Sequence, residues 1–435
     1  MHHGLTITDT TTGARSAQVR STAIIGLIAT ASAAVGQPTT DLNAAFPLNT
    51  PVLVTDVDAA AGKAGTGGTL AKALEAIGDQ CSPIVNVLRV PIATGEEDQD
   101  DLVIAGIQAL MAAESVTGQR PRILGAPGLD TQAVSAELAV AAARLRGFAY
   151  VAAIGDDIAE AVVYRDEFGA RDMMLFWPDV NDWEGCAIAD ALGLRAKIDE
   201  EQGWHKTISN VPLGGVTSIT KSVHFDLLDP STDAGVLNAA PITTMIRRQG
   251  YRFWGQRTCA GNEQPEFSFE SAVRTRHALV DLLEATMAPF LDQPMTVGLI
   301  KDCLENVNAQ CRQLKVEGRI VGAEFYFDRT KNSAEQLAAG RPTFGLKYTP
   351  CAPLEKPDRR THQHGRVLRR LRRPARLSKG TSHGPAPHPR EYERLRERQQ
   401  LPRRHFRIRT AQAGDQHRGL PRWRHARQRQ AGQGP

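Results

Sequence analysis

Between Ala23 and about Ala240 the chain alternates short apolar runs with stretches of helical period, and this alternation restricts the fold more than any other property of the sequence. PVLVTDV (51–57) has the length and β-branched content of a buried strand. GTLAKALEAIGDQ (68–80) follows as a helix, with Thr69 as its cap and Leu70, Ala73, Leu74 and Ile77 on one face. The same pattern predicts strands over 84–90, 122–128, 148–155 and 172–180, separated by helices over 102–114, 131–147 and 158–169. Repeated strand-helix alternation produces a mostly parallel sheet covered by helices on both faces, so the fold class is α/β.

The character changes after about Pro241. Residues 243–258 are β-like and aromatic, 269–291 and 296–318 are long amphipathic helices, and 319–328 and 341–350 are strands. The expected organisation is therefore an N-terminal segment (1–22), an α/β domain (23–240), a smaller α+β domain (241–355) and a tail (356–435). The tail differs in kind. From Cys351 onward there are 23 Lys and Arg against 6 Asp and Glu, a net charge of +17, whereas the first 350 residues carry a net charge of −13. Seven of the twelve histidines also lie there, with almost no aliphatic periodicity around them, so the tail cannot build a core.

Six cysteines are scattered without a CxxC pair, which suits a reducing compartment; Cys303 and Cys311 stand too far apart along one helix to share a metal or a disulfide. Arg15 and Arg20 precede STAIIGLIATASAAVG (21–36), which imitates the basic start, apolar run and small-residue exit of a signal peptide, although Gly26 and Thr30 interrupt it. No other run approaches the roughly 18 apolar residues of a membrane span, so membrane insertion is not expected.

An α/β sheet invites enzymatic readings, and the candidate motifs do not sustain one. AGKAGTGGT (61–69) places glycines and Lys63 before a helix, but no Gly-Lys-Ser/Thr closes it, and Gly65 and Gly67 lack the third glycine of a dinucleotide fingerprint. A plain helix-capping loop is the simpler account. Neither a GxSxG elbow nor an HExxH pair is present, and His2, His3, His205, His224 and His277 are spread over different elements. Asp199, Glu200 and Glu201 beside Trp204 and His205 read as a charged, solvated turn. Trp204, His205 and Trp254 are expected to pack structurally. The sequence nominates no catalytic, cofactor-binding or metal-ligating residue.

Five longer words carry more information: FPLNTPVLVTDVDAA, MAAESVTGQRPRILGAPGLDT, LGLRAKIDEEQGWHKTISNVPLGGV, MIRRQGYRFWGQRTC and YTPCAPLE. In this order they closely resemble the sheath proteins of contractile phage tails and R-type pyocins, over about His2 to Glu355. The resemblance implies a structural subunit without enzymatic activity or cofactor. Its partners would be copies of itself in stacked hexameric rings, the tail tube protein, and the baseplate and tail terminator proteins. It also implies a conserved tube-facing domain and extended terminal arms that add strands to a sheet of neighbouring subunits. The product would reside in the virion tail after assembly in the bacterial host cytoplasm. Residues 5–22 (LTITDTTTGARSAQVRST) would form the N-terminal arm.

After YTPCAPLE the resemblance stops. Suitable codons for Val367–Arg376, read one nucleotide later, give YYADFADQL, which resembles a sheath ending; the same offset over 392–406 and 420–430 can give words resembling the start of a tail tube protein. The tail is therefore expected to be the product of a frameshift near Leu354 to Pro357, disordered and without a selected function. The competing reading is a basic nucleic-acid-binding tail, which would bind without sequence preference and weaken with salt; having only Tyr392, Phe406 and Trp423, it lacks the interleaved aromatics of a stacking platform. For the body the competing reading is a nucleotide-binding α/β enzyme.

Overall fold

The computed structural model describes residues 21–356 apart from 96, 182, 262 and 263. The expected N-terminal arm, except Ser21 and Thr22, and the basic tail beyond Lys356 lie outside the described residues.

In chain order the elements are β1 (Ile25–Ser32), α1 (Thr39–Ala45), β2 (Val52–Val54), α2 (Val57–Ala61), β3 (Gly67–Gly68), α3 (Leu70–Gln80), β4 (Val85–Val90), α4 (Gln99–Leu110), α5 (Ala113–Thr117), β5 (Ile123–Gly125), α6 (Gln132–Leu145), β6 (Phe148–Ala152), α7 (Ile158–Arg165), β7 (Met173–Phe176), α8 (Cys186–Glu201), α9 (Asp233–Ala239), β8 (Ile242–Arg247), β9 (Tyr251–Trp254), α10 (Glu270–Met287), α11 (Val297–Val316), β10 (Ile320–Phe327), α12 (Ala334–Ala338) and β11 (Phe344–Pro350). Strands β4, β1, β5, β6, β7 and β8 run parallel in that spatial order, with antiparallel β2 and β9 at the two edges. Alternate residues of β1 feed two cores. Ile25, Leu27 and Ala29 join the core that includes α3 and α8, while Ile28 joins the one that includes α4, α6 and α7. Burial on both faces is what a parallel sheet requires, and it accounts for unbroken apolar strands such as β7.

The run over 21–36 that imitates a signal peptide supplies β1, a strand of the parallel sheet buried from Ile25 to Ala31, and Gly26 is needed there because a Cβ would collide with Leu124 and Pro121. One expectation needs correction. The boundary at 240 falls inside the main sheet. Ile242 and Thr243 of β8 pair in parallel with Leu175 and Phe176, and β9 pairs with β8, so the sheet continues to Trp254. After β9 the chain leaves the sheet, and α11 with the β10–β11 hairpin forms a small satellite core around Cys303, Val307, Cys311 and Phe325.

Candidate assembly surface

A doubly wound sheet offers a ligand crevice where its strand order reverses, at the carboxyl ends of β1 and β5. Here chain fills that place. The glycine loop 61–69 runs into β3, whose Gly67 and Gly68 pair antiparallel with Ser32 and Ala31 at the end of β1. Gly65, at φ +75°, lies against the Ser32 carbonyl, and Gly128 beyond β5 leaves only 2.6 Å between an added Cβ and the Glu184 carbonyl. These glycines allow backbone to approach backbone. Thr69 heads α3 without a side-chain capping bond; its hydroxyl accepts instead from the Thr30 amide at 3.2 Å.

The charged run at 199–201 ends α8 and is not a turn; Glu200 and Glu201 are exposed as expected, but the Asp199 side chain is completely buried between Arg195, 2.7 Å away, and Arg274. Arg195, itself fully buried, also reaches Glu270 at 3.2 Å and donates to the Lys206 carbonyl at 2.7 Å. Glu270 accepts from the Tyr150 hydroxyl at 2.7 Å. Burial and the adjacent Glu270 carboxylate both push the Tyr150 phenol well above its ordinary value, so it remains a donor.

This cluster begins a polar stripe along α10. His277 Nε2 lies 3.0 Å from Asp172, and burial holds the imidazole below its usual value despite that carboxylate. Asp281 receives Arg122 at 2.5 Å and Arg146 at 2.8 Å, and Glu284 pairs with Arg146. Residues 270, 274, 277, 281 and 284 recur at steps of four and three, so they share one helix face, and that face is fixed to strands, loops and α8 of the main body by ions rather than by oil. The Arg274 guanidinium also donates to the Thr22 carbonyl at 3.3 Å, fixing the start of the described chain. At the other end Arg257 grips both Glu355 oxygens while stacking on Phe269, and these bonds hold the Glu355 carboxyl below its ordinary value.

Sequence reasoning missed this network, although the i, i+4 pairs Arg195/Asp199 and Glu270/Arg274 were visible. The other singled-out residues do not converge. Trp204 is buried with Ala278 and Ile320, edge-on to His205; Trp254 stacks edge-on against Phe225; the His224 amide donates to Asp233.

What the surface offers is a sheet edge. The main sheet protects both of its own. β2 is three residues long and follows Pro51, a poor template for pairing. The β9 edge is covered by residues 210–213, with Asn210 and Leu213 donating to the Phe253 and Tyr251 carbonyls at 2.8 and 3.0 Å. The β10–β11 sheet has only two strands among the described residues and pairs with no third. Its inner face, with Phe325 stacked on Phe344 and flanked by Leu346 and Ala323, rests on α11. Its outer face sets Glu324 opposite Lys347, and Tyr326 opposite Gly345, where a Cβ would collide with the tyrosine ring. Packing on α11 stabilises the hairpin, while the lack of a third strand among the described residues leaves its edges as the candidate pairing surface.

Comparison with known proteins gives a consistent picture. Residues 103–259 match the phage tail sheath protein central domain, and residues 22–90 match the N-terminal region of tail sheath protein Gp18 domain III. The tail sheath protein of Escherichia phage P2 is 43% identical over 81% of this chain and 93% of its own length. A prophage major tail sheath protein of Pseudomonas aeruginosa is 32% identical over 82% and 95%. Among solved structures, the contracted helical sheath of the anti-feeding prophage superposes with a TM-score of 0.62 at 17% identity, over 83% of this chain and 98% of that one. The contracted sheath complex of an extracellular contractile injection system gives 0.61 at 15%, over 84% and 99%. Identity that low speaks to the fold.

Proposed function

This chain belongs to the tail sheath protein family of contractile phage tails, and on that premise we propose that it polymerises as stacked hexameric rings around the tail tube and shortens to drive the tube through the host envelope. The work is mechanical. No turnover is required if each subunit gains a few kcal/mol of contact free energy in the contracted packing, because the gain adds over every ring.

The observation that carries the assembly reading is the two-stranded hairpin beside protected main-sheet edges. Strand addition by the terminal arms of neighbouring copies would complete it, joining subunits by main-chain hydrogen bonds that survive rotation of the bodies. In this reading the satellite unit after β9 is the tube-facing part, the tube protein and the baseplate and terminator proteins are its partners, and assembly takes place in the host cytoplasm. The chain filling the switch-point crevice supports a subunit without catalysis or cofactor.

We infer in addition that residues 356–435, whose charge and composition break with the body, are the product of a frameshift. Sequencing the encoding DNA tests it: a single-base change should restore a sheath ending, and failure to find one refutes it. Electron microscopy of purified assemblies tests the function. Six-fold cylinders are expected, in greater yield and with better-linked rings once the frame is restored. A small oligomer that is stabilised by nucleotide, and never forms cylinders even with the frame restored, would favour the enzyme reading instead.

A further inference from the structure

One face of α3 and the start of α8 enclose a cleft of about 280 Å³ that the assembly reading does not use. Lys72, Glu75 and Asp79 line it from α3 at steps of three and four, and Trp183, Cys186 and Asp190 face them from the other side. The three α3 side chains are exposed and form the rim, whereas Cys186 and Asp190 are each only 2% exposed and form the floor.

The floor carboxyl is pinned through one oxygen and left open at the other. Gln80 donates from Nε2 to Asp190 Oδ1 at 3.1 Å. The same carboxamide is held by Gly214, whose carbonyl accepts from Nε2 at 2.8 Å and whose amide donates to Oε1 at 2.9 Å, so both of its hydrogens are committed and it cannot turn to Oδ2. Oδ2 has only the Cys186 thiol, a weak donor 3.9 Å away. Buried acceptors in native proteins are hydrogen-bonded, so an oxygen without a strong donor at the floor of a cleft points to a donor supplied from outside the chain.

The walls indicate what that donor is. Three carboxyl groups face a single lysine, and the Lys72 ammonium lies 5.9 Å from the centroid of the Trp183 indole, which already presents its π face to one cation. Among the described residues no group of three acidic, cysteine or histidine side chains stands close enough to hold a metal ion, so these carboxyls do not converge on a point charge. Separated acceptors beside an aromatic face suit an extended organic cation. We propose that the cleft binds a small aliphatic cation, an alkylammonium or alkylguanidinium group, whose N–H donors meet Asp190 Oδ2 while its carbon chain lies along Trp183.

Such binding exchanges a proton for the ligand. Desolvation pushes the Asp190 carboxyl up to about 8 against the lowering bond from Gln80, and Asp79 and Asp179 raise it further. The titratable groups facing it are Lys72, Glu75 and Asp79 from α3, Asp179 from the loop after β7, and Cys186 from α8 itself. A cation selects the ionised carboxylate, so binding near neutral pH releases a proton and tightens as pH rises.

Isothermal titration calorimetry of the full chain with propylguanidinium, which stays charged at both pH 7 and pH 9, tests this. Saturable binding is expected, about tenfold tighter at pH 9, with a heat at pH 7 that varies with the ionisation enthalpy of the buffer. Asp190→Asn should weaken binding at pH 9 by about tenfold or more and remove the pH dependence. Trp183→Leu should weaken it a few-fold and leave the pH dependence in place, and an unchanged affinity there would refute the role of the indole. N-acetylarginine amide separates two sources of the same group: affinity equal to that of propylguanidinium means that the cleft takes a basic side chain carried by a polypeptide, and weaker binding that it takes a free cation. No saturable heat at pH 9, an affinity independent of pH, or an affinity unchanged in Asp190→Asn would each overturn the proposal.

Discussion

Replacing Glu270 by alanine tests whether the ionic stripe fastens α10 to the body. The side chain is wholly buried, and its removal takes three partners at once: Arg195 at 3.2 Å, Arg274 at 3.7 Å and the Tyr150 hydroxyl at 2.7 Å. Two buried guanidinium groups would then share one carboxylate, Asp199, so the cluster passes from neutral to an excess positive charge. Removing one member of a buried ion pair costs about 3–5 kcal/mol, chiefly because the remaining charge is left uncompensated. For a body of this size the loss corresponds to a Tm lower by about 4–7 °C. The assay is urea unfolding followed by tryptophan fluorescence, repeated for Tyr150→Phe and for the double variant. Tyr150→Phe alone should cost about 1 kcal/mol, and almost nothing once Glu270 is gone. A loss below about 1 kcal/mol for Glu270→Ala, or strict additivity in the cycle, would show that water reaches the cluster and that apolar contacts hold the helix.

Asp190 is buried, and although Gln80 donates to it at 3.1 Å, desolvation pushes its carboxyl up to about 8. A raised value means that the folded state holds the proton more tightly, so the associated stability is complete below about pH 4 and declines as pH rises toward 8; the total is on the order of a few kcal/mol. Asp190→Asn should flatten that part of the pH profile and stabilise the protein at pH 8, and an unchanged profile would rule the group out. Gly185, which precedes α8 at φ +97°, faces the Gly128 backbone where a Cβ would stand, so Gly185→Ala should lower the urea midpoint by the equivalent of about 2 kcal/mol or more. Arg257→Ala should leave global stability within about 1 kcal/mol, as expected for a half-exposed pair, yet speed amide exchange over residues 351–356.

The alternation that predicts an α/β sheet survives in the structure because a parallel strand and its crossover helix each write a local pattern. β4, β6 and β7 fall where the apolar runs place them, and α3, α6, α10 and α11 begin within two residues of expectation. The failures share a physical cause. β1 is buried on both faces, so its hydropathy lacks the alternation that separates a strand from a leader's apolar run, and two upstream arginines complete the imitation. α8 was invisible because Asp190, Arg195 and Asp199 sit among its apolar residues; Asp190 and Arg195 are buried and Asp199 buries its side chain, so these charges create no polar face with a helical period. Hydropathy assigns such charges to solvent, whereas partners 75 residues away in sequence draw them inside. The cleft between α3 and α8 left no trace at all, since it depends on how the two helices pack.

Why α10 should be held by ions rather than by a leucine stripe follows from what each arrangement tolerates. A uniformly apolar face packs almost as well after sliding by one turn, about 5.4 Å, because one methyl surface resembles the next. The α10 stripe does not: its order is acid, base, histidine, acid, acid along 270, 274, 277, 281 and 284. Moving the helix one turn would put Arg274 where Glu270 stands, facing Arg195, and would bring two buried cations together without a carboxylate between them. Each slipped register leaves some buried charge unpaired at a cost of several kcal/mol, so the pattern selects a single alignment even where its net stabilisation is small. The α10 helix is thus keyed to the sheet. Under the contraction proposed above, such keying would confine the motion to contacts between copies.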